Sequence, residues 1–144
     1  MRRLGAVLPA IEAAGVRAVC VLAEDFEGEP AGFAPEFWDR ELFLDESLAL
    51  FAAAGGGRVR RGGLLDLLNP RSHFWRETVP KGKRAAAAGV KGNQKGRMKT
   101  LKGGLLLLTP TGEIAYRFTE EEFGDRADPQ DVLAECRRWA AGQT

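Results

Sequence analysis

The sequence predicts an α/β domain with a central mixed sheet flanked by helices, and three observations carry that prediction. An amphipathic helix closed by a glycine leads directly into a short apolar strand over residues 2–22. A leucine run, a Pro-Thr-Gly turn and an alternating stretch form a β-hairpin over residues 103–119. Asp128 and Pro129 then open a last amphipathic helix.

The helix over residues 2–14 places Leu4, Val7, Leu8 and Ile11 at i, i+3, i+4 and i+7, one apolar stripe, and Gly15 stands just past its end. Val16 to Leu22 reads Val-Arg-Ala-Val-Cys-Val-Leu, strand formers of the kind buried in a parallel sheet. An acidic loop from Glu24 to Pro35 leads to a short aromatic helix around Phe37 and Trp38, and Glu41 to Leu44 is a second strand. Asp45 caps the next helix, with Leu48, Leu50 and Phe51 as its apolar contacts, until Gly55, Gly56 and Gly57 stop it. Residues 58–88 are helical in part, interrupted by Pro70 and Pro80, and Ala85 to Ala88 end a helix before Gly89. Gly103 to Thr109 is a buried strand, Pro110-Thr111-Gly112 a turn, and Glu113 to Thr119 the returning strand. In the last helix Val132, Leu133, Cys136 and Trp139 share one face.

A chain of 144 residues with 44% hydrophobic and 28% charged composition has the size and balance of one folded domain spanning residues 1–144. The formal net charge of +1 creates no general attraction to nucleic acid or anionic lipid. It hides a segregation, however. Nine acids lie between Glu24 and Glu46 with only Arg40 against them, and eight Lys or Arg lie between Lys81 and Lys102 with no acid. The longest wholly apolar run, Leu105 to Leu108, is far too short to span a bilayer, and Pro9 and Glu12 interrupt any apolar centre after Arg2 and Arg3. Cys20 and Cys136 are the only cysteines, which excludes a disulfide framework, a zinc-finger spacing and a Cys-x-x-Cys pair, and points to a reducing, cytoplasmic setting.

Candidate chemistry is sparse. Cys20 sits in an apolar strand, where burial raises a thiol's pKa and makes it a small hydrophobe. Cys136 is on an apolar helix face next to Arg137 and Arg138, which would lower its pKa if it were exposed. His73 and Ser72 are adjacent, and adjacent helical residues do not face each other; a lone histidine makes no metal site. Glu120, Glu121, Glu122 and Asp125 lack the spacing of a calcium loop and read as a turn ahead of the last helix. The sequence thus offers no metal ligands and no catalytic set. The Gly89 to Arg97 segment is glycine-rich and basic, and Lys91, Asn93, Lys95 and Arg97 are candidates for binding an anion or a partner, the other reading being a solvated loop. No Gly-Lys there is followed by Ser or Thr, as a phosphate loop requires, and no aromatic residues interleave the cations as in a nucleic-acid surface.

The order of elements is that of a thioredoxin fold with its first strand removed. Glu41-Leu42-Phe43-Leu44-Asp45-Glu46-Ser47, Ala88-Gly89-Val90-Lys91-Gly92-Asn93, Gly103-Gly104-Leu105-Leu106 and Glu122-Phe123-Gly124-Asp125 resemble, in order, landmarks of the peroxiredoxin-like 2 family. These are AhpC/TSA-type thioredoxin-like proteins that include prostamide/prostaglandin F synthases. Leu8-Pro9 and Ala14-Gly15-Val16-Arg17 resemble the segment that follows the family's active site. The resemblance implies a thiol oxidoreductase in intact relatives, reducing peroxides or prostaglandin-type endoperoxides with electrons from a thioredoxin system or NADPH. It also implies that the family's Cys-x-x-Cys position falls upstream of Met1, so that the domain is incomplete at its N-terminus and no catalytic residue carries over. Two other expectations stand beside this one: a non-catalytic binding module acting through the basic Gly-rich loop, and a single peroxidatic thiol at Cys20 or Cys136.

Overall fold

The computed structural model describes residues 4–25, 38–62 and 100–142. In place of the single helix expected over residues 2–14, a 3-10 turn, Leu4–Ala6, precedes a shorter helix α1, Leu8–Ala13, because the Pro9 ring would clash with the preceding turn of a continuous helix. Pro9 stands in the first turn of α1, where its missing N–H has no acceptor to lose. Gly15, at φ +80°, reverses the chain after the helix, a conformation in which a Cβ would be strained. Strand β1, Cys20–Leu22, pairs in parallel with β2, Leu42–Leu44, with Cys20 opposite Leu42 and Leu22 opposite Leu44. Only those three residues of the expected 16–22 strand find a partner, because β2 is itself three residues long. Trp38 to Arg40 lie outside any helix.

Helix α2, Ala49–Ala54, follows a cap built from a distance. The Asp45 carboxylate accepts from the Leu50 N–H at 2.8 Å and the Ala49 N–H at 3.2 Å, and from the Ser47 hydroxyl at 2.6 Å. Leu48, between them, takes φ 62°, the only positive φ at a non-glycine among the described residues, and is buried. Its burial with Ala23 and Leu101, against Phe51 and Val59, forms a small core. Leu50, expected as an apolar contact, is 37% exposed: α2 spans under two turns, and its inward side is taken by Leu48 and Ala54. Gly56 and Gly57, at φ +79° and +99°, end the helix.

Strands β3, Gly104–Leu108, and β4, Ile114–Thr119, form an antiparallel hairpin, its turn closed by the Gly112 N–H donating to the Thr109 carbonyl at 2.9 Å. The leucine run is not the wholly buried strand expected. A register shift between Leu107 and Leu108 leaves Leu107 in the core and turns Leu108 outward beside Ile114. At the far end, Gly104 lies opposite Thr119, whose hydroxyl donates to the Ala54 carbonyl at 2.6 Å and ties α2 to the hairpin. Helix α3, Pro129–Ala141, begins as predicted: Asp128 accepts from the Gln130 N–H at 2.7 Å. Its Val132, Leu133 and Cys136 join Val7, Leu8, Ile11 and Leu107 in the main core. Each fully buried leucine or isoleucine there contributes about 1.5–3 kcal/mol.

The mixture of helices with parallel and antiparallel strands is that of an α/β fold. Among the described residues the strands fall in two two-stranded sheets, where the sequence predicts one mixed sheet. Each of the four strands keeps one edge that no described strand pairs, and no hydrogen-bond ladder among the described residues joins the two sheets. No helix among the described residues is long and apolar enough to cross a membrane.

Candidate functional site

Among the described residues, three places carry functional groups. The first is the pair of thiols. Both cysteines are free. Cys136 projects from α3 into the main core and is 2% exposed; burial pushes its thiol up, with a smaller contribution from the Glu135 charge. The activating role open to Arg137 and Arg138 is closed by that burial, and Arg138 is engaged with Glu135 at 2.7 and 2.8 Å. Cys20, in β1, is partly buried, and desolvation raises its thiol too. A thiol that stays protonated near neutral pH is a poor nucleophile.

The second is an open cleft of about 450 Å³ between the end of α1 and the approach to β2, lined by Glu12, Gly15, Val16, Arg17, Ala18, Arg40 and Glu41. Its charges are already matched. Arg17 donates to Glu41 at 2.5 Å and stands 6.0 Å from the Phe43 ring, while Arg40 donates to both Glu12 and Asp39. The Trp38 indole N–H donates to the Glu41 carbonyl at 2.9 Å. The hydrogen bond from Arg40 holds the Glu12 carboxyl below its usual range, so it is not a general acid at neutral pH. The cleft is a charge-stitched seam between α1 and the strand that follows.

The third lies where residues 63–99 leave and rejoin the described chain. Arg61 and Leu101 form an isolated antiparallel bridge, flanked by Gly62 N–H to Thr100 carbonyl at 2.8 Å and Lys102 N–H to Arg60 carbonyl at 3.0 Å. Arg60 donates to the Glu121 carboxylate at 2.5 Å, and the Lys102 ammonium donates to the Glu121 carbonyl at 2.6 Å while lying 5.6 Å from the Phe123 ring. The neighbouring carboxylates build the turn the sequence predicts. Glu120 accepts from the Gly103 and Gly124 N–H groups at 2.5 and 2.6 Å, and Asp125 from the Glu122 N–H at 2.7 Å.

Lys91, Asn93, Lys95, Arg97, Ser72 and His73 lie outside the described residues. The cleft pairs and the Arg60–Glu121 pair were missed by sequence reasoning. The one local signal was the Arg58-Val59-Arg60-Arg61 run after the glycines, and its acidic partner is 61 residues away.

The family model of the AhpC/TSA antioxidant enzymes matches residues 3–122, well over half the chain. The chain belongs to the AhpC/TSA antioxidant enzyme family. The match runs from the turn before α1 through the hairpin to the acidic turn, and its thioredoxin-like fold class agrees with the α/β architecture. No curated protein and no solved structure matches the chain.

Proposed function

We propose that these 144 residues are the scaffold of a peroxiredoxin-like 2 type thiol oxidoreductase and do not by themselves turn over peroxide. The observation that carries this reading is the state of the thiols: the sequence holds no Cys-x-x-Cys, and burial raises both Cys20 and Cys136. Peroxide reduction by this chemistry needs a thiolate that attacks one peroxide oxygen, releasing water or alcohol and leaving a sulfenic acid. A second thiol then condenses with it, releasing water and forming a disulfide that an external dithiol reduces. The electron donor in that reading is thioredoxin or NADPH, the compartment is cytoplasmic, and a prostaglandin-type endoperoxide is the finer alternative to a peroxide. The test is peroxide consumption by the 144-residue chain with a thioredoxin system or NADPH. Background rates are expected, and turnover abolished by Cys20→Ser or Cys136→Ser would overturn the reading in favour of a single peroxidatic thiol.

The charge segregation favours a second reading, a thioredoxin-like binding module that engages a partner through Lys91, Asn93, Lys95 and Arg97. Reversing Lys91, Lys95 and Arg97 to Glu should weaken partner capture, and unchanged capture would remove that surface from consideration.

A further inference from the structure

No further inference is drawn: the strongest candidate, the exposed apolar patch that Val19 and Phe43 form on one face of the β1–β2 pair, is an unpartnered face, and nothing in the structure shows what covers it.

Discussion

A side chain built onto Gly62 would place its Cβ 1.8 Å from Cε2 of Phe123, so the buried ring occupies space that only glycine leaves open. The close approach sets Gly62 against the acidic turn after β4. Gly62→Ala should destabilise the fold by about 1–3 kcal/mol through overpacking, measured as a lower urea midpoint at unchanged slope. In a Phe123→Leu background the same substitution should cost less. Equal cost in both backgrounds would show that the ring is not the obstacle.

Asp128 should be worth about 1 kcal/mol to the last helix, the usual cost of replacing an N-cap aspartate with alanine. Its carboxylate accepts from the Gln130 N–H at 2.7 Å, and Val132, Leu133 and Cys136 on the same helix fill the main core. Asp128→Asn keeps an acceptor and should retain most of the stability. Thermal melts of the two variants separate capping from charge.

The Asp45 carboxylate makes the fold sensitive to acid. Partial burial works against its charge, but the Ser47 hydroxyl and the Leu50 and Ala49 N–H groups together hold its carboxyl below the usual range. The folded chain therefore binds fewer protons at this position than the unfolded chain. Stability from this group is fully present above the unfolded value, about 3.9, and is lost as pH falls through the lower folded value. Asp45→Asn should flatten the dependence of the melting temperature on pH below about 4 and leave the neutral-pH side sloped as before. An unchanged acid limb would assign that limb to other carboxylates.

The two thiols should alkylate differently. Both are raised by burial, so each should react slowly at neutral pH and faster as pH rises. Cys20, partly buried in β1, should be modified in the native state, while Cys136, at 2% exposure, should be modified only on the timescale of unfolding. Mass spectrometry after timed alkylation reads both rates. Rapid native-state labelling of Cys136 would place it outside the core described here.

The sequence by itself determined what depends on neighbours within a few residues. Asp128-Pro129 starts a helix, Gly15 and Gly56 end helices, Gly112 turns the hairpin, and the i, i+3, i+4 stripe of Leu4, Val7, Leu8 and Ile11 marks an inward face, because backbone geometry and capping are local. The length of β1, the left-handed Leu48, the outward Leu50 and Leu108, the grouping of the described strands, and the pairing of Arg60 with Glu121 were decided only in three dimensions. The physical reason is the same in each case. A strand exists where a partner supplies hydrogen bonds, a leucine is buried where another element covers it, and an arginine's role is set by which carboxylate the tertiary fold brings within reach. For the thiols the two levels met: the sequence lacked a paired motif, and the packing of β1 and α3 then set how far each remaining cysteine is withdrawn from water.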